Sequence, residues 1–104
     1  MDLTQDRWRA QLQVDNNAVL IDVRTEIERE DGYIPNAIHL DIYDSAAFVE
    51  ASKQLDTSKN YYVYCRSGGR SAQACMIFNS VGIENTYNLL GGFSEWDGAI
   101  EKPF

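Results

Sequence analysis

The chain has 104 residues, 44% of them hydrophobic, which suffices for one compact core and is too few for two domains with separate cores. Nine Lys and Arg against sixteen Asp and Glu leave a formal charge of −7, a balance that works against binding nucleic acid or an acidic membrane, whose phosphates are held chiefly by Lys and Arg. One histidine and two cysteines, Cys65 and Cys75, match no zinc spacing and make no secreted disulfide framework, so no metal and no cofactor are expected.

Small anions stay within reach, because charge is screened over about 8 Å and arginines beside a pocket outweigh distant carboxylates. No apolar run approaches the roughly 20 residues that cross a bilayer, and Met1 to Asp6 lacks the basic and apolar regions of a secretory leader. A cytoplasmic location, with no membrane partner, is the expectation, and a monomer is expected because no exposed apolar stripe stands out.

Along the chain, a short polar start leads into Thr4 to Leu12, which reads as a helix with Leu3, Trp8 and Leu12 roughly on one side. After the polar turn Asp15-Asn16-Asn17, Ala18 to Val23 is a nearly continuous apolar run, the pattern of a strand buried on both faces. The charged stretch Thr25 to Asp31 reads as a short exposed helix or turn ended by Gly32, its acidic run being a solvated face. Ile34-Pro35 then forces an extended backbone before a small strand, Ile38 to Leu40. Asp44 or Ser45 caps a helix reaching about Leu55, and Tyr61 to Tyr64 is the next strand. A helix from about Arg70 to Val81 stops at Gly82, Thr86 to Leu89 is the last strand, and Glu101 to Phe104 is a tail. Strands separated by helices predict an α/β fold with a mainly parallel central sheet flanked on both faces, and such sheets place ligands at the carboxyl ends of their strands.

Cys65 stands at one of those ends, between a strand and a helix, in the run Cys65-Arg66-Ser67-Gly68-Gly69-Arg70-Ser71. A thiol there faces the unpaired N–H groups and positive dipole end of the helix, which favour the thiolate. Gly68 and Gly69 allow the positive φ that curls backbone N–H groups around an anion, and Arg66 and Arg70 add charge able to grip a sulfonate or phosphate. Ser67 and Ser71 lie in this cradle, Ser71 reading more as a helix cap. Cys75 falls in a helical apolar pattern and reads as core, and His39 as a hydrogen-bonded structural residue.

The sequence resembles the rhodanese family here and elsewhere. Asp22-Val23-Arg24 is similar to the family's Asp-x-Arg signature, Gly32-Tyr33-Ile34-Pro35-Asn36-Ala37 to Gly-His-Ile-Pro-Gly-Ala, and Leu89-Leu90-Gly91-Gly92-Phe93-Ser94-Glu95-Trp96 to Leu-x-Gly-Gly-x-x-x-Trp. The motifs keep family order over nearly the whole chain, with Tyr33 and Asn36 departing from the usual histidine and glycine. The resemblance implies one rhodanese-like domain over residues 1–104 and a ping-pong thiosulfate sulfurtransferase. In that scheme Cys65 takes sulfur from a donor such as thiosulfate as a persulfide and passes it to cyanide, a thiol or a partner protein's cysteine. Arg66 and Arg70 bind the donor, the backbone from Arg66 to Ser71 stabilises the persulfide, and Asp22 and Arg24 brace the loop. Two alternatives stay open. A cysteine phosphatase or arsenate reductase uses a similar loop, but four residues rather than five separate Cys65 from Arg70, and the smaller ring suits one sulfur atom. A non-enzymatic interaction module is the other, set against the presence of Cys65 and both arginines.

Overall fold

A computed structural model of the chain describes residues 1–103. Its elements in order are β1 (Asp2–Leu3), α1 (Gln5–Val14), β2 (Ala18–Asp22), α2 (Glu26–Arg29), β3 (Ile38–His39), α3 (Ser45–Lys53), β4 (Asn60–Tyr64), α4 (Gly69–Ser80), β5 (Thr86–Leu89) and a 3-10 turn, Phe93–Glu95. The strands form one sheet in the order β1-β5-β4-β2-β3, with every neighbouring pair parallel.

Side-chain alternation along β4 divides the interior. Tyr61, Val63 and Cys65 point to the face covered by α3 and α4, where they pack with Phe48, Ala74, Cys75 and Phe78. Tyr62 and Tyr64 point to the opposite face with Trp8 of α1, Leu20, Ile34 and Leu89. Trp8 is fully buried, meets Tyr62, Tyr64 and Trp96 edge to face, and donates its indole N–H to the Tyr87 carbonyl at 3.0 Å. Helices therefore cover both faces of a parallel sheet, as the alternation of elements predicts.

Both chain ends depart from the sequence reading. The polar start contributes β1, because Asp2 and Leu3 pair with Asn88 and Leu89, and Leu3 reaches the Trp8 cluster from a strand rather than from the helix. The tail pairs across its backbone: Glu101 N–H donates to Tyr33 O and Tyr33 N–H to Glu101 O, each at 2.8 Å, while Phe104 lies outside the described residues. Tyr33 also stacks beneath the Arg29 guanidinium at 4.3 Å. Asn36 holds φ +72°, a left-handed conformation that asparagine tolerates better than most residues, which accounts physically for its standing where glycine is common. Among the described residues, no helix is long and apolar enough to cross a membrane.

Candidate active site

The carboxyl end of β4 delivers Cys65 to the centre of the sheet edge, 1% exposed, and the chain turns there directly into α4. The turn is made at Gly68, which occupies the N-cap position of α4 with φ +110°. That conformation aims the Gly68 N–H at the Cys65 sulfur, 3.0 Å away. The Ser71 hydroxyl lies 3.3 Å from the same sulfur. Burial alone pushes the thiol pKa up; hydrogen bonding from the loop and the first turn of α4 outweighs it, and the net shift is downward.

Two expectations for this loop are corrected. Gly69 needs no positive φ, since it is the first residue of α4 and a Cβ there meets nothing within 4 Å. Ser71 does not cap the helix, because the helix starts at Gly69 and places Ser71 two residues inside it, fully buried against the sulfur. Its hydroxyl is shared with the Asn88 side chain carbonyl, which accepts from it, while Asn88 Nδ2 donates to the Gly68 carbonyl at 3.2 Å and to Asp2 at 3.0 Å. Asn88, 2% exposed, thus ties β5 to the turn. Nothing in the sequence reading singled it out, although a polar residue in an otherwise apolar buried strand is a usable signal.

The carbonyl side of the loop is held as firmly. Phe93 N–H donates to Cys65 O at 2.8 Å and Ser94 N–H to Arg66 O at 2.9 Å. Gly92, at φ +56°, makes this approach possible, since a Cβ there would fall 2.5 Å from Arg66 O and 2.6 Å from Cys65 O. Of the glycine pair Gly91-Gly92, it is Gly92 that closes on the loop.

Asp22 and Arg24 are buried, and they act one step away from the loop. Arg24 donates through Nε and Nη2 to the Asp22 carboxylate at 3.0 and 2.8 Å, and through Nη2 to the Gly32 carbonyl at 2.7 Å. The Tyr64 hydroxyl donates to Asp22 at 2.8 Å and accepts from Ile34 N–H at 3.0 Å. The link to Cys65 therefore runs through its neighbour Tyr64 and through Phe93, over which Arg24 sits at 4.2 Å. Tyr64 is more than an ordinary strand residue, and burial holds its hydroxyl protonated. His39 Nε2 donates to the Arg24 carbonyl at 2.6 Å, a structural contact. Burial raises the Cys75 thiol, which sits in the α4 core layer.

The two loop arginines differ. Arg66 is exposed and lines a cleft of about 300 Å³ with Arg24, Glu28, Asp31, Phe93 and Ser94. Arg70 is engaged by Glu28, whose carboxylate accepts from Nη1 at 2.6 Å and Nη2 at 2.8 Å. Arg70 holds the Glu28 carboxyl down to about 2 against the cost of partial burial. The acidic run is thus not a uniformly solvated face. Glu28 also completes a capping box on α2, exchanging hydrogen bonds of 3.2 Å with Thr25, and that Thr-x-x-Glu spacing was readable in advance.

The family model described as a rhodanese-like domain matches residues 5–99. The Bacillus subtilis protein YtwF is 36% identical over 95 residues, covering 91% of this chain and 87% of that protein. The thiosulfate sulfurtransferase GlpE of Pseudomonas syringae is 33% identical over 88 residues, covering 85% and 80%. A rhodanese-like domain protein of Staphylococcus aureus has a solved structure that superposes with a TM-score of 0.83 at 28% identity, covering 99% of this chain and 98% of that one.

Proposed function

The chain belongs to the rhodanese-like domain family, and on that premise we propose that it is a sulfurtransferase whose nucleophile is Cys65. The observation that carries the reading is the pair of donors converging on one sulfur, Gly68 N–H at 3.0 Å and the Ser71 hydroxyl at 3.3 Å. They favour the thiolate, and the same cradle suits the negative charge of a persulfide.

In the first half-reaction the Cys65 thiolate attacks the outer sulfur of thiosulfate. The new S–S bond forms at Cys65, the S–S bond of thiosulfate breaks, and sulfite leaves with the electron pair. In the second, cyanide or a thiolate, free or on a partner protein, attacks the outer sulfur of the persulfide, and Cys65 leaves as thiolate. No general base is needed once the thiol is ionised. Arg66, exposed at the mouth, meets the anionic donor. Arg70, and the backbone from Arg66 to Ser71 including Gly69, complete the charge and shape of the cradle. Asp22 and Arg24 support it through Tyr64 and Phe93. We place the reaction in a single catalytic domain acting as a monomer in the cytoplasm, where a reducing environment keeps Cys65 and Cys75 free.

The test is intact-mass spectrometry after incubation with thiosulfate and again after cyanide, with Cys65→Ser as control. The expected result is a gain of one sulfur that requires Cys65 and is removed by cyanide. A folded, reduced protein that gains no sulfur from thiosulfate or from a thiol-borne persulfide rejects the reading and directs attention to phosphate or arsenate chemistry on the same loop.

A further inference from the structure

Arg70 brings positive charge to the rim of the sulfur cradle, and that charge is already met. Glu28 takes both ends of the guanidinium fork at 2.6 and 2.8 Å, the geometry in which an oxyanion such as a sulfonate would bind. Glu28 is itself anchored, because Thr25 donates to its Oε1 from the backbone at 3.2 Å and from the hydroxyl at 3.1 Å. The Tyr43 ring covers Arg70 at 5.1 Å. Arg24 is likewise committed to Asp22, so Arg66 is the loop arginine with no ion pair among the described residues.

We propose that Glu28 is a specificity-determining residue that occupies the oxyanion-binding face of Arg70. The site thereby discriminates against donors whose leaving group is an oxyanion and favours sulfur carried as a persulfide on a thiol that brings no anionic group to that face. An oxyanion donor has either to displace a carboxylate held from two sides or to bind facing it. A thiol-borne persulfide does neither. The inference deepens the sulfur-transfer reading and rests on it.

The test uses two reagents that alkylate Cys65 with the same leaving group, iodoacetate and iodoacetamide, which differ in charge at neutral pH. Their rate ratio cancels differences in access to the buried sulfur. Glu28→Gln keeps an acceptor for Thr25 and removes the charge, and is expected to raise the iodoacetate to iodoacetamide ratio on the order of tenfold. Asp31→Asn changes net charge equally beside the same cleft without freeing Arg70, and is expected to change the ratio less than about twofold. Adding Arg70→Met to Glu28→Gln is expected to abolish the gain. Sulfur loading from thiosulfate, followed by mass, is expected to speed up in Glu28→Gln alongside the ratio. An unchanged ratio in Glu28→Gln, or an equal rise in Asp31→Asn, overturns the assignment. If Glu28→Gln fails to fold, Arg70→Met alone serves: it leaves Glu28 charged and unpaired, so the ratio is expected to fall several-fold, and no change overturns the assignment. Alkylation needs no persulfide, so a ratio that responds as described, with no sulfur gain from thiosulfate or from a thiol-borne persulfide in any of the proteins, overturns the sulfur-transfer reading and not the placement of Glu28 on Arg70.

Discussion

The Ser71 hydroxyl lies 3.3 Å from the Cys65 sulfur and also within hydrogen-bond reach of Asn88 Oδ1. A hydroxyl has one proton, so it donates to one of them at a time. When the sulfur is a thiol, its own proton is available and the Ser71 proton is free for Asn88; when the sulfur is a thiolate, the Ser71 proton is drawn to it. Asn88 keeps the hydroxyl oriented in either state.

Ser71→Ala is accordingly expected to raise the Cys65 pKa, since one of the donors that offsets burial is lost. The thiolate is the reactive form and is populated above the pKa, so the rate profile of the variant with iodoacetamide should be displaced to higher pH, the two rates converging only once both thiols are fully ionised. A rate profile against pH for the two proteins decides this, and superimposable midpoints would remove Ser71 from the set of sulfur donors.

The Glu28–Arg70 pair carries its own pH signature. Glu28 is held at about 2 in the folded protein, below its ordinary value of 4.5. A depressed carboxyl stabilises the fold above its unfolded pKa, and that contribution is lost as pH falls from about 4.5 toward about 2. With three-quarters burial and some solvent screening, the pair is worth on the order of 1–2 kcal/mol. Urea unfolding should therefore show wild type more stable than Glu28→Gln near pH 7, with the gap narrowing as the solution is acidified into that window.

Tyr64→Phe removes the hydroxyl that donates to Asp22 and accepts from Ile34 N–H, both within the buried interior. It leaves a buried N–H unpaired and Asp22 with one donor fewer, and is expected to cost about 2–4 kcal/mol in urea unfolding. The loss should fall on stability first and on Cys65 reactivity second. A variant as stable as wild type would mean that the Asp22 network relaxes around the missing group.

Gly92→Ala places a methyl group 2.5 Å from the Arg66 carbonyl at a positive φ. Overpacking and backbone strain together predict a loss of about 2–4 kcal/mol and displacement of the Cys65 carbonyl from Phe93 N–H. Gly69→Ala is the matched comparison. Its Cβ meets nothing within 4 Å and its φ is ordinary for a helix, so stability should stay within about 0.5 kcal/mol of wild type or rise slightly.

Local pattern was enough to determine the order of strands and helices from α1 onward, the parallel α/β class, and the position of Cys65 at a strand end. Strand periodicity, Gly82 after an amphipathic run, and Gly68 between an apolar strand and a helix each act over a few residues, and those are the distances at which backbone propensity and capping operate. The motifs from Asp22 to Trp96 narrowed that class to one family. The pairings that define the cradle lie beyond that range. Ser71 meets Asn88 only because β5 pairs beside β4; Glu28 meets Arg70, 42 positions away, because α2 follows the strand on the other side of β4; and Gly92 reaches Cys65 O because the turn after β5 folds back over the sheet edge. A carboxylate in an acidic run reads as solvated until the sheet brings a guanidinium to it, and a two-residue edge strand such as Asp2–Leu3 has no periodicity to detect. Sequence thus placed the Cys65 sulfur at a strand end, while strand order decided which groups surround it and which loop arginine is left without an ion pair among the described residues.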